Sequence, residues 1–277
     1  MTDPDNSSNI KGPLDARTVV LDLFAAYDVD EGRTPSLTTK ELLQVGEVLE
    51  IAPTAIRTAI TRLKQEGRVE AVSRGLYVYG RQVDPWRQRI DGWRISPARR
   101  QPWDGTWLMA VIKPASLSRT GWRATLRALE LEGFSKTAGG LWIRPDNLEG
   151  LDQTRGRLLA YGASDAILTA RIVELDAASL NAAAALWDVD GVAADHRRLT
   201  REIEDSLAHI RDETSDAAAR EALVLGRAGV RAIIRDPLLP ASMADGEPLR
   251  QLADVMRRYE SVGKAVWRRR FGIGARP

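Results

Sequence analysis

The chain has 277 residues, with 40 Lys and Arg against 38 Asp and Glu, a net charge of +2, and 44% hydrophobic and 28% charged residues. These proportions fit a globular protein with room for two or three domains, each burying its own core. It contains no cysteine, which excludes disulfides, thiol catalysis and cysteine-ligated metal sites. Its two histidines, His196 and His209, lie in no metal-ligand spacing, and no apolar run approaches the roughly 20 residues that cross a bilayer.

In chain order, residues 1–14 are polar and lack an apolar signal-peptide segment, so they are expected to be disordered and the protein cytoplasmic. Residues 15–82 carry the pattern of a winged helix-turn-helix. A first helix is expected over Ala16 to Tyr27. The second opens on Thr38 and Glu41, which have capping-box spacing, buries Leu42, Leu43, Val45 and Val48, and is expected to end at Gly46. A third runs from Pro53 to Glu66, since proline suits a first helical turn where its missing N–H would be unpaired anyway.

On that third helix Ile56, Ala59, Ile60 and Leu63 share one side. Opposite them stand Thr54, Thr58, Thr61, Arg62 and Gln65, flanked by Arg57 and Lys64, with no acid before Glu66. Threonine can touch a base edge or a thymine methyl, and arginine can bridge guanine O6 and N7 or hold a phosphate, so the face suits a major groove. An ordinary solvated helix surface fits the same residues. Two strands, Val69 to Val72 and Leu76 to Tyr79, follow around the turn Ser73-Arg74-Gly75, which places Arg74 at the tip of a wing. Such a tip offers a cation to phosphate or to a narrow minor groove, although winged helices also serve as protein-contact modules.

From Ala52 to Trp103 eleven cations face four acids, a local footprint suited to a polyanion. Residues 83–104 are rich in arginine, proline and tryptophan, including Pro85-Trp86-Arg87, and read as an ordered linker. Residues 105–175 alternate as βαββαβ: a strand at Thr106 to Lys113, a helix at Ser118 to Glu132, strands near Phe134 to Thr137 and Gly140 to Arg144, a helix at Leu148 to Tyr161, and a strand at Ala166 to Val173. That is the ferredoxin-like plan, which hosts enzymes, RNA binders and dimerisation modules. A metal-dependent nuclease of this plan needs an acid near the end of the first strand, where this chain has Lys113-Pro114. An RNA-recognition motif would show aromatic rings that Leu141-Trp142-Ile143-Arg144 does not supply in the usual positions. Dimerisation is the preferred reading.

Residues 176–277 read as helical, with stretches at Leu180 to Leu186, Val192 to Ile210, Ala217 to Ile234 and Leu249 to Trp267. The overall class is therefore α+β. Leu186-Trp187-Asp188 and His196-Arg197-Arg198 combine an aromatic ring with cations, as a pocket for an acidic or thioester effector requires. Trp187, His196, Arg197 and Arg235 are the candidate effector-binding residues, although a tryptophan on a helix also serves as core and Arg235-Asp236-Pro237-Leu238-Leu239-Pro240 also reads as a stiff turn. No catalytic constellation, cofactor or metal site is expected.

The whole order resembles the PaaX family of transcriptional repressors of phenylacetate catabolism. Four passages carry the resemblance: Ala55 to Leu63 in the third helix, Trp103-Asp104-Gly105-Thr106-Trp107, Gly140-Leu141-Trp142-Ile143-Arg144-Pro145-Asp146, and Arg235-Asp236-Pro237-Leu238-Leu239-Pro240. The resemblance implies a homodimer on an inverted-repeat operator in double-stranded DNA, released by an aromatic acid or its coenzyme A thioester, such as phenylacetyl-CoA. Thr54, Thr58, Thr61 and Gln65 are then expected to face base edges, and Arg57, Arg62, Lys64 and Arg74 to hold phosphates or a guanine.

Overall fold

The computed structural model describes residues 15–27, 36–80, 89–90, 92–113 and 117–272. The N-terminal segment 1–14, Arg81, the Pro85-Trp86-Arg87 run, Asp91 and Pro114 lie outside the described residues. The chain is mixed α+β, with two small antiparallel sheets among helices. It divides into two compact units. One holds residues up to 87 with 202–228 and 256 onward, and the other holds 88–201 with 229–255.

In the first unit, α1 spans Ala16–Tyr27, α2 Thr39–Val48 and α3 Pro53–Gln65. The start of α2 is fixed by the full capping box: the Thr38 hydroxyl accepts from the Glu41 N–H at 3.2 Å, and the Glu41 carboxylate accepts from the Thr38 N–H at 2.6 Å. Gly46 does not end this helix. It lies inside it, where an added Cβ would come within 2.9 Å of Ile56 Cγ1, so its role is to let α2 approach α3. The chain reverses direction three residues further on, through Leu49 and the left-handed Glu50. Ile56, Ala59, Ile60 and Leu63 are buried on the inner face of α3, and α1, which packs against α3, buries Val19, Val20, Leu23 and Phe24.

A sheet of order β1-β3-β2 completes this part: β1 Ser36–Thr38, β2 Val69–Ser73 and β3 Leu76–Tyr79, all antiparallel. The strand β1 has no counterpart in the sequence reading. Three residues are too few to show a period of two, yet Leu37 is buried and pairs with Tyr77. Gly75, at φ 76°, makes the two-residue turn with Arg74 that joins β2 to β3.

In the second unit, a 3-10 helix at Gly92–Arg99 precedes β4 Trp107–Val111, α4 Arg119–Leu131, β5 Ser135–Lys136, β6 Trp142–Pro145, α5 Leu151–Ala160 and β7 Leu168–Ile172. The strands form a four-stranded antiparallel sheet of order β5-β6-β4-β7. The stretch read as linker is folded from residue 92: Trp93 and Ser96 are buried, and Trp103 meets Trp107 edge-on at 5.3 Å. The helices α6 Ala177–Ala184, α7 Val189–Ile210, α8 Asp216–Arg235 and α9 Glu247–Phe271 follow, and the last three each contribute residues to both units. Among the described residues no helix is long and apolar enough to cross a membrane.

Candidate nucleic-acid interface

Burial of one face of α3 leaves the other to solvent. Thr54, Arg57, Thr58, Thr61, Arg62, Lys64 and Gln65 are all exposed, and so is Arg74 at the hairpin tip. Arg57, Arg62, Lys64 and Arg74 form no ion pair among the described residues. The acid that ends α3 is occupied: both carboxylate oxygens of Glu66 accept from Arg17 of α1 at 2.5 Å, which holds its carboxyl below the usual range. Four cations are therefore free on this surface while the adjacent negative charge is neutralised within the fold. The Thr61 hydroxyl donates back to the Arg57 carbonyl at 3.0 Å. Thr61 thus presents an acceptor oxygen and a methyl outward, a set that fits a thymine methyl or a base amino group better than a base acceptor.

The four expected effector residues occupy separate environments. The Trp187 ring stacks on Trp107 at 6.3 Å, and its Nε1 donates to the Gly133 carbonyl at 3.2 Å. It is half-buried and packs against the cluster of Trp107, Ile143 and Ala183. His196 is buried with its Nδ1 3.7 Å from Asp236 Oδ2, and burial holds its imidazole below the ordinary value although Asp236 opposes this. Arg197 and Arg235 are exposed.

Two motifs separate in sequence meet in the interior of the second unit. Arg144 is buried and its guanidinium donates to the backbone oxygens of Glu132, Pro145 and Pro237 and to Asn147 Oδ1, the last at 3.0 Å. The Asn147 amide donates to the Leu238 carbonyl at 2.7 Å, and the Asp236 carboxylate accepts from the Leu238 N–H at 2.7 Å. These bonds hold Leu238, buried, in a left-handed conformation at φ 52° that a branched side chain rarely adopts. Burial pushes the Arg144 guanidinium down to about 10, a value that still leaves it charged at neutral pH. Beside it the buried carboxylate of Glu132 accepts from Arg99 at 3.3 Å and Arg157 at 2.8 Å, and Glu149 pairs with the same two arginines. The sequence marked both motifs but not their meeting; the polar residues Arg144, Asn147 and Asp236, set among apolar neighbours, are the signal that each needed a buried partner.

Among the described residues no group of three or more His, Asp or Glu is placed to hold a metal. No protein-family model and no curated protein matches the chain. Among solved structures it is similar to the uncharacterized protein Rv0674 from Mycobacterium tuberculosis, with 22% identity and a TM-score of 0.52, over 90% of this chain and 98% of that one. The likeness extends to the mixed α+β fold along nearly the whole of both chains.

Proposed function

We propose that the protein is a transcriptional repressor of the PaaX type that binds double-stranded operator DNA through a winged helix-turn-helix made of α1 to β3. The single observation that carries this reading is the outer face of α3: exposed hydroxyls and amide flanked by cations that have no ion-pair partner among the described residues. A DNA backbone supplies the counter-charge they lack, and base edges supply partners for Thr54, Thr58 and Gln65. The order α2, turn, α3, hairpin supports the motif, with β1 as the third strand. For β4 to β7, the strand order and the antiparallel pairing support a ferredoxin-like domain, which we assign to homodimerisation. A two-fold dimer reads an inverted repeat, with half-site spacing set by its symmetry.

In this reading a small effector, an aromatic acid or its coenzyme A thioester, releases the operator by favouring a dimer whose two recognition helices no longer match the spacing. A coupling of about 1–3 kcal/mol is sufficient for such a switch. Arg197 and Arg235 remain accessible to a carboxylate or a phosphate of that ligand. The test is fluorescence-anisotropy binding to the protein's own upstream intergenic DNA, with a panel of aromatic acids and their coenzyme A thioesters. Selective binding abolished by one compound is the expected result; affinity equal to that for random duplex overturns the operator reading.

A further inference from the structure

The hairpin side of α3 bounds a concavity of about 430 Å³ whose polar lining comes from Thr39 at the start of α2, Arg57, Thr61, Lys64 and Gln65 of α3, and Tyr77 of β3. Among the described residues no carboxylate lines it. Two of its hydroxyls are already committed: Thr61 donates to the Arg57 carbonyl at 3.0 Å, and Thr39 reaches the Gly75 carbonyl at 3.4 Å. The latter contact, with the Thr39 N–H donating to the same oxygen at 2.9 Å, ties the α2 wall to the hairpin. Tyr77 lies on the central strand of its sheet, paired with Leu37 on one side and Ala71 on the other, so its backbone position is fixed by both neighbours. Tyr77 is half-buried and its hydroxyl has no hydrogen-bond partner among the described residues, and Arg57 and Lys64 have no ion pair there. A guanidinium, an ammonium and a phenolic O–H therefore line one hollow with no acceptor side chain assigned to them.

That set of donors matches an anion with several oxygens. We propose that the concavity holds one phosphodiester of the DNA backbone, with Tyr77 donating its hydroxyl and Lys64 and Arg57 supplying charge. The assignment rests on α3 facing DNA, as argued above. It makes Tyr77 a DNA contact on the strand behind the hairpin tip, and it anchors the recognition helix on that side. Arg62 and Thr58, on the opposite flank of the exposed face, remain for the bases.

The test is duplex binding by anisotropy across a salt series, using the full chain and the variants Tyr77→Phe and Lys64→Ala, each checked for an unchanged unfolding midpoint. Tyr77→Phe is expected to weaken binding by roughly ten-fold or more, the loss of one hydrogen bond to a charged acceptor, without changing the salt slope. Lys64→Ala is expected to weaken binding and to reduce the slope of log K against log salt by less than about 0.9, because Arg57 still neutralises the same phosphate. The double variant is expected to lose less than the product of the two single effects, because both side chains hold one group. Wild-type binding that Tyr77→Phe leaves intact overturns the proposal while sparing the reading of α3. Displacement of duplex by millimolar inorganic phosphate at constant ionic strength also overturns it, in favour of a free phosphate ligand. Absence of any duplex binding by the wild type at low salt removes both.

Discussion

Arg57, Arg62 and Arg74 stand in water with no ion pair among the described residues, whereas Arg99, Arg144 and Arg157 are drawn into the second unit and bonded there to Glu132, Glu149, Asn147 and backbone carbonyls. A guanidinium taken out of water must recover its solvation from protein acceptors, and the interior around Glu132 supplies them. The arginines of α3 meet no such requirement inside the fold, so their geometry is set by helix periodicity alone and their charge remains available to an outside partner. One residue type thus serves as interior scaffold in one region and stands exposed without an ion pair among the described residues in the other. The difference is legible only from the partners each guanidinium has.

Removing the most buried member of the interior set is expected to have the largest effect. Arg144→Met should cost about 4 kcal/mol in chemical denaturation, since it strands buried acceptors and loosens the bond from Asn147 to the Leu238 turn. A loss below about 1 kcal/mol would mean that the interior does not depend on this guanidinium. At the surface the pattern should invert. Arg62→Ala should weaken operator binding by about 2 kcal/mol in a gel-shift titration and leave the unfolding midpoint unchanged. Unchanged affinity would remove Arg62 from the interface.

A third, smaller effect comes from His196, whose imidazole is held by burial below its ordinary value of 6.5. The unfolded chain therefore binds this proton first, so the stability it contributes is complete above pH 6.5 and declines as pH falls through the depressed value. Replacing it, as in His196→Gln, should flatten the wild-type decline in unfolding midpoint on acidification. The smallest effect is expected at the half-exposed pair of Arg17 and Glu66, where solvent screens the charges. Arg17→Ala should change stability by at most about 0.5 kcal/mol. The Glu66 carboxyl lies below its ordinary 4.5, so even this contribution is present above pH 4.5 and disappears as pH falls below it. With Arg17 gone, the freed carboxylate should weaken DNA binding in the anisotropy assay, an effect that salt diminishes.

Element limits were most legible where a period repeats. Ile56, Ala59, Ile60 and Leu63 recur over α3, expected to Glu66 and found as Pro53–Gln65, because four apolar residues on one stripe leave only one side to bury. Thr38 and Glu41 marked the start of α2 for an equally local reason, since a capping box is a contact across three residues. Gly46 misled because its lack of a side chain, read as a stop, is used for contact with Ile56, a neighbour in space that no local window includes. At Trp187 an aromatic beside cations can line a pocket or fill a core, and its stacking on Trp107 is again a contact that no local window includes.

The sequence by itself determined the helices, the hairpin, the α+β class and the polar, cation-rich character of the outer face of α3, because each follows from short-range periodicity and side-chain chemistry. Tertiary structure alone decided that Glu66 is neutralised by Arg17, that β1 joins the first sheet, and that Arg144 and Asn147 reach the Leu238 turn across about 90 residues of chain. It also divided the helical end of the chain between two compact units. These are long-range pairings, and whether a charged side chain finds a partner depends on residues that meet only when the chain folds.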